Sequence, residues 1–465
     1  MREWEQATWA TGVSKESVMR RAGQAVARGA LRLTRPGEEI LVLAGKGHNG
    51  DDARFAAGDL TGRRVRVVNV TDPAAVVAEA KDFSGALIVD GLFGIGLSRP
   101  LEGEWLRLVQ ALNESRVPIL AVDVPSGLDE GTGEPLGDAV RASVTLTFGA
   151  MKHRLLRPCA APFTGRLEVA ADIGLVACPF KSELNWMLAE DFAQFPSPRP
   201  VEGHKGTFGH LAIIAGSQGY HGAAVLAARG ALRAMPGLVS VFATERAYPL
   251  VAAQLAQAMV HPWTPDTLLP KSCSAILIGP GLAGVDVPKQ LVQEAARLWH
   301  ESPLPVIADA SALSWLPQGP PLTGALRVVT PHPGEAAAML DIGKADVLDD
   351  RAESLREISR MHGDCWVVLK GRHTLIGRGQ GELSVNSSGN PQLAQGGSGD
   401  VLAGFLGGWL AQPQLQADAG LAIRHAVWEH GHAADVLSAR QRAWEMTELV
   451  ELLGNSAAAG EGGEA

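Results

Sequence analysis

Residues 389–404, GNPQLAQGGSGDVLAG, place an aspartate directly after a run of backbone donors at the start of a predicted helix. Gly396, Gly397 and Gly399 have no side chain to block close approach, so N–H groups around Ser398 can converge on phosphoryl oxygens. The positive end of the helix adds to that attraction. Asp400 then sits beside the same phosphate as a base, while Val401, Leu402, Phe405, Leu406, Trp409 and Leu410 recur at helical spacing and anchor the helix in a core. A glycine-rich turn capped by an aspartate is the plainer alternative for this segment taken alone.

Outward from this motif, apolar β-branched runs alternate with alanine- and leucine-rich amphipathic stretches, the pattern of parallel sheets covered by helices. Strands are expected at 40–44, 65–70, 87–90, 119–124 and 144–148 in the first half. The second half offers 211–215, 239–243, 275–278, 306–309, 328–330 and 366–370. Both halves are therefore α/β. Between them, 178–203 contains Pro179, Pro196, Pro198 and Pro200 without a sustained period, which marks the boundary; a short helix at 184–193 is expected to bridge the halves. The expected domains are 1–185 and 186–454, followed by a small, acidic and disordered tail at 455–465.

A chain of 465 residues exceeds what one core normally organises. The net charge of −9, with no basic block interleaved with aromatics, argues against a nucleic-acid surface. Cys159, Cys178, Cys273 and Cys365 show no metal-ligand spacing and suit reduced thiols in a cytoplasmic protein. Glu3 and Glu5 stand where a leader would be basic, and no stretch approaches bilayer-spanning length, so no membrane partner is expected.

Five further segments accompany the glycine-rich aspartate. KGTFG at 205–209 precedes a strand ending in Ala215, Gly216 and Ser217, after which Gly222 and Ala223 open a helix with little bulk. Gly279, Pro280 and Gly281 follow one strand and Asp309 another, at the carboxyl ends where open α/β sheets bind ligands. TPHPGE at 330–335 presents His332 between two prolines, which hold the imidazole in place. Lys370, Gly371, Arg372, His373 and Thr374 offer cationic and hydroxyl groups. Singly, these could be a loop histidine and a solvated hairpin.

In this order, KGTFGHLAIIAGS, GPG, DASAL, TPHPGE, LKGRHT and GNPQLAQGGSGDVLAG resemble the ADP-dependent NAD(P)H-hydrate dehydratase domain, a ribokinase-like α/β fold. The resemblance implies repair of a nicotinamide whose C6 has gained water, with ADP converted to AMP and phosphate. Asp400 would take the C6 hydroxyl proton as that oxygen attacks the terminal phosphoryl group, and N–H groups of Gly397, Ser398 and Gly399 would stabilise the phosphoryl oxygens. By the same resemblance Ala223, Gly281, His332 and Asp400 contact the hydrate, whereas Lys370, Gly371, Arg372, His373, Thr374 and Gly399 contact the adenine nucleotide, Mg2+ being a further candidate. Ala283, Ser311 and Gln395 depart from the family pattern without removing the base.

In the first half, the strand at 40–44 runs into GKGHNG, a literal G-x-G-x-x-G that is a weak dinucleotide signal alone. An amphipathic segment at 18–33 precedes it, and Asp51 and Asp52 follow, where two carboxylates would repel a pyrophosphate. Asn49, Asp90 and Ser126 supply oxygens at three strand ends, suited to a hard cation. With MRRAGQAVA upstream and TFGAMKH downstream, this half is similar to the NAD(P)H-hydrate epimerase domain, a Rossmann-like three-layer α/β/α fold. The resemblance implies that the hydrate meets His48, Asn49, Gly50, Asp51, Asp52, Gly94, Ile95, Gly96, Leu97, Ser98, Arg99, Pro100 and Asp123, and that K+ meets Asn49, Asp90 and Ser126. Asp52 and Asp123 are the acid/base candidates and Lys152 an electrostatic participant.

The loop reads HNGDDA where the family reads NNGGDG, so Asp51 adds charge near ligand phosphates and Ala53 is restricted wherever a positive φ is needed. The substrates implied are NADHX and NADPHX, and the expected assembly is a homo-oligomer. The alternatives are a ribokinase-type kinase of a vitamin precursor with a non-catalytic first half, and an NAD-dependent dehydrogenase resting on the glycine motif alone.

Overall fold

The computed structural model describes residues 1–455 except Ser98 and Glu130; the expected tail lies outside them apart from Asn455. The chain forms two compact units, Met1–Lys181 and the residues from Ser182 onward.

The first unit is a six-stranded, wholly parallel sheet of β1 (Glu39–Ala44), β2 (Arg64–Asn69), β3 (Leu87–Gly91), β4 (Ile119–Val122), β5 (Val144–Phe148) and β6 (Arg166–Ala170). Their order is β2-β1-β3-β4-β5-β6, so the chain reverses direction between β1 and β3 and leaves a crevice beyond their carboxyl ends. Alternation along β1 assigns the faces. Ile40, Val42 and Ala44 pack with Val18, Ala22 and Val26 of the Lys15–Leu33 helix and with Ala53 and Ala56 of the His48–Asp59 helix. Leu41 and Leu43 meet Val76, Ala80, Leu108 and Leu112 of the helices Ala74–Asp82 and Gly103–Glu114 on the other face. This is the three-layer α/β/α arrangement.

The second unit carries ten strands: β7 (Leu184–Trp186), β8 (His210–Ile214), β9 (Leu238–Ala243), β10 (Met259–Pro262), β11 (Ala275–Ile278), β12 (Val306–Ala308), β13 (Arg327–Val329), β14 (Trp366–Leu369), β15 (Leu375–Gly377) and β16 (Leu383–Val385). The order is β10-β9-β8-β11-β12-β13-β14-β15-β16-β7, parallel except for the antiparallel pairings of β15 with β14 and β16. Its switch point lies between β8 and β11, where the Gly216 N–H donates to the Pro280 carbonyl at 2.9 Å and the Ser217 hydroxyl to the Gly281 carbonyl at 2.7 Å.

Over this crevice lies the Ser398–Leu410 helix, buried at every position from Val401 to Leu410. A helix apolar on all sides needs neighbours on all sides. Its closest is the His221–Arg233 helix: a methyl on Gly404 would strike the Ala227 carbonyl oxygen, and one on Gly230 would strike the Val401 carbonyl.

Three expectations are corrected here. Residues 184–186 form an edge strand, paired in parallel with β16, so the unit boundary falls before 185, and only Ala189–Phe192 is helical, as a short 3-10 turn. The strand expected at 119–124 stops at Val122 because Asp123 adopts φ 65°. Strands β6, β10, β15 and β16 were not expected, being three to five residues long and, for β10, largely exposed. Among the described residues no helix is long and apolar enough to cross a membrane.

Gly404→Val is expected to destabilise the second unit by about 3 kcal/mol through overpacking, read as a lower denaturation midpoint for its transition.

Candidate functional site

In the second unit, Gly397 caps the Ser398–Leu410 helix in the left-handed region (φ 94°), where a methyl would collide with Leu226. The loop can therefore turn its N–H groups towards the crevice. Asp400 lies in the first turn. Burial first, then the charges of Asp309 and Glu335, push its carboxyl up from the ordinary 3.8 to about 7, against the pull of Lys370. The Lys370 Nζ donates to Asp309 Oδ1 at 2.8 Å and lies 3.8 Å from Glu335 Oε2. It also lies 3.3 Å from the point where a Gly399 Cβ would stand, directly beside the helix start. Burial opposes the Lys370 charge, yet Asp309 and Glu335 outweigh it, and its pKa is raised. Asp309 accepts a further bond from the Thr330 hydroxyl at 2.7 Å.

His332 is held by more than its prolines. Its Nδ1 accepts the N–H groups of Gly334 (3.0 Å) and Glu335 (3.1 Å), and Glu335 in turn accepts the His332 N–H at 2.7 Å. The imidazole thus caps the Pro333–Leu340 helix, with Nε2 3.6 Å from Glu335 Oε1. Ala223 and Gly281 adjoin each other: a Gly281 methyl would stand 2.8 Å from the Ala223 Cβ.

Lys370, Gly371, Arg372, His373 and Thr374 form the turn of the β14–β15 hairpin, at the carboxyl end of β14. Within it the His373 ring points inward, against Trp186 (centroids 5.1 Å apart), with Nδ1 3.3 Å from the Asn386 carbonyl. Burial pushes that imidazole down to about 3. The His373 side chain is thus enclosed between Trp186 and the Asn386 carbonyl. Ala283 and Gln395 are exposed.

In the first unit, a cavity of about 700 Å3 opens at the β1/β3 switch point. His48, Asn49, Asp52, Gly94, Ile95, Gly96, Leu97, Arg99 and Asp123 line it, as expected from the sequence. Three expected residues do not: Gly50 is packed beneath Gly45, Asp51 turns to Arg54 in a 2.7 Å ion pair, and Pro100 is exposed outside. Ser98 lies outside the described residues. Arg54 neutralises the charge expected to trouble a ligand, and Ala53 is an ordinary helical residue, its methyl against Gly91.

At the cavity wall Asp123 Oδ1 accepts from Lys152 Nζ (2.5 Å), the Thr147 hydroxyl (3.0 Å) and the Phe148 N–H (3.0 Å). Asp52 has a buried oxygen without a partner, and burial, then Asp123, Asp51 and Glu5, push it up to about 8. Asp52 is thus driven towards its protonated form beside the hydrogen-bonded Asp123.

Behind the cavity, Asp90 is fully buried and accepts only from neutral donors, the Ser126 N–H (2.9 Å) and hydroxyl (2.6 Å) and the Leu92 N–H (3.2 Å). Burial raises its pKa. Asn49 Nδ2 donates to the Phe93 carbonyl at 2.9 Å, leaving Oδ1 free. An all-oxygen set around one unbalanced carboxylate fits a monovalent cation.

The sequence missed the roof of this cavity, Arg2, Glu5, Trp9, Lys15 and Met19 from the two N-terminal helices, because no local motif marks them. Asp309 was legible as a strand-end residue, but its pairing with Lys370 across 61 positions was not.

A half-buried aspartate at a helix start beside the switch point of a mostly parallel sheet belongs to a ribokinase-like α/β class, joined here to a Rossmann-like unit. Residues 211–454 match the family model described as NAD(P)H-hydrate dehydratase, and residues 15–83 and 70–154 match the YjeF-related protein N-terminus. The chain is 34% identical over 463 residues to the bifunctional NAD(P)H-hydrate repair enzyme Nnr of Coxiella burnetii, covering 94% of this chain and 93% of that one. Its identity to the enzyme of the same name from Escherichia coli is 33%, covering 92% and 86%.

The ADP/ATP-dependent NAD(P)H-hydrate dehydratase of Bacillus subtilis, co-crystallised with ATP and Mg2+, is 32% identical with a TM-score of 0.50, over 56% of this chain and 93% of that one. A ribokinase-like superfamily protein from Enterococcus faecalis (24% identity, TM-score 0.52, 62% and 99% covered) supports the fold alone. The chain belongs to the family of bifunctional NAD(P)H-hydrate repair enzymes.

A carboxyl raised from 3.8 to about 7 on folding keeps its proton longer in the native state than in the unfolded chain, so its contribution destabilises progressively as pH rises between those values. Asp400→Asn is therefore expected to raise the melting temperature of the second unit at pH 8, and to have little effect near pH 4, in paired calorimetric scans.

Proposed function

We infer that the chain repairs hydrated nicotinamide coenzymes with both halves: the first interconverts the C6 epimers of NADHX and NADPHX, and the second dehydrates one epimer at the expense of a nucleotide, which we take to be ADP. The observation that carries the second activity is Asp400, half-buried, poised near neutrality and in the first turn of the Ser398–Leu410 helix. In the proposed step the Asp400 carboxylate accepts the C6 hydroxyl proton while that oxygen attacks the terminal phosphoryl group of ADP, and AMP departs. The resulting C6 phosphate ester then expels phosphate, C5 gives up a proton to water, and the C5–C6 double bond of the reduced ring is restored. Gly397, Ser398 and Gly399 N–H groups and the Lys370 ammonium would stabilise the phosphoryl oxygens. Ala223, Gly281 and the Nε2 edge of His332 would hold the hydrate, and the turn of Lys370, Gly371, Arg372, His373 and Thr374 the adenine nucleotide. Mg2+ accompanying the nucleotide would be held chiefly by phosphate, since Asp309 and Glu335 are engaged with protein donors.

In the first half, hydroxide must leave C6 and return to the opposite face. Asp52, which keeps its proton at neutral pH, is the acid that assists departure, and Asp123, oriented by Lys152, is its partner across the cavity. Ligand phosphates would lie at the start of the His48–Asp59 helix near Lys46 and Arg99. K+ held by Asn49, Asp90 and Ser126 would supply a fixed positive charge behind that loop. Family membership along both halves sets aside the vitamin-precursor kinase with an inert first half, and also the dehydrogenase.

Supplied with a mixture of NADHX epimers and ADP, the chain is expected to restore reduced-coenzyme absorbance to completion; a stop after one epimer would refute the epimerase role. Asp400→Asn should abolish this turnover while retaining nucleotide affinity, and the wild-type dehydration rate should fall as pH drops below about 7, where the base becomes protonated. Asp90→Ala is expected to weaken the K+ dependence of epimerisation, checked by a K+ titration with the dehydration step in excess.

A further inference from the structure

Arg351 is the first residue of the Arg351–Met361 helix, and everything about its placement is unfavourable to stability. A cation in the first turn opposes the helix dipole. The guanidinium is nevertheless buried, and burial pushes its pKa down to about 10. It has no carboxylate partner among the described residues, and its Nε is buried without an acceptor. Its bonds run instead to three carbonyls: Nη1 donates to Arg372 at 2.6 Å and His373 at 3.2 Å, both in the β14–β15 turn, and Nη2 to Leu369 at the end of β14 at 3.1 Å. These groups flank the two strained positions of that turn, Gly371 at φ 140° and His373 at φ 52°. A Gly371 methyl would stand 3.3 Å from Nη2, so the absence of a side chain lets the arginine lie directly beneath. A fold that violates several local rules at one residue does so where function requires it.

We propose that Arg351 is a positioning residue for the adenine nucleotide: its fork fixes the Leu369 carbonyl at the end of β14 and the Arg372 and His373 carbonyls of the 370–374 turn, so that the turn's N–H groups face the ligand, and its unpaired positive charge lies behind that face. The anionic nucleotide supplies the countercharge that the fold withholds. The assignment rests on the nucleotide site given under Proposed function. Arg351 touches neither the hydrate nor Asp400 and reaches the reaction through the turn.

The test is steady-state dehydration by the full chain, varying ADP and hydrate separately, for Arg351→Gln and Arg351→Lys. Arg351→Gln should raise KM for ADP on the order of tenfold, with KM for the hydrate within about twofold and epimerase turnover in the other unit unchanged. Arg351→Lys, which keeps charge but cannot span three carbonyls, should retain the wild-type melting temperature more closely yet still show a raised KM for ADP. Wild-type KM for ADP in either variant, or a parallel rise for both substrates, overturns the proposal. Hydrogen exchange separates this from failure of the underlying assignment. In the unsubstituted chain ADP should protect the amides of 371–374, and if turnover proceeds without that protection the nucleotide site itself is misplaced.

Discussion

The architecture of the second unit hangs on two helices brought so close that their backbones touch. Gly404 against the Ala227 carbonyl and Gly230 against the Val401 carbonyl admit no side chain between them. Their shared register sets the His221–Arg233 and Ser398–Leu410 helix starts side by side at the switch point of the sheet. Two positive helix ends then face one crevice, and Asp400 is carried into it at a depth where its ionisation is held near neutrality by burial and by Asp309. Lys370 offsets part of that rise and stays charged because Asp309 and Glu335 flank it. Packing, helix electrostatics and proton affinity are here one problem with one solution.

The first unit reaches a comparable end by other means. There the asymmetry lies between two carboxyls: Asp123 has a lysine, a hydroxyl and a backbone N–H on one oxygen, whereas Asp52 has an oxygen with no partner at all. The left-handed backbone at Asp123, which ends β4 early, lets its carboxylate turn back to the Phe148 N–H and to Lys152. Strain at one residue thus serves to orient the carboxylate that shares the cavity with Asp52.

Much of this was legible from sequence because both sites sit where local signals are strong. Glycine-rich loops after apolar strands marked Asn49, Asp52, Asp90, Gly281 and Asp400, and the alternation of strands and helices gave the sheets. What stayed hidden was set by distance along the chain. The Asp309–Lys370 pair, the Arg54 partner of Asp51 and the inward turn of His373 depend on tertiary neighbours. Short strands such as β7 and β16 escaped for a related reason. Three residues carry too little periodicity to announce a strand, and each is stabilised by the partner it pairs with rather than by its own composition.

The segment SGDVLAGFLGGWL also has a consequence for how the protein assembles. It contains four glycines in its 13 positions, each about 1 kcal/mol less helix-favouring than alanine, so as a free peptide it would be a poor helix. It winds up only when docked into the surrounding core. The helix start therefore takes shape together with the packing that holds it. Any ligand that binds there only in the folded unit would, by mass action, add to that unit's resistance to unfolding.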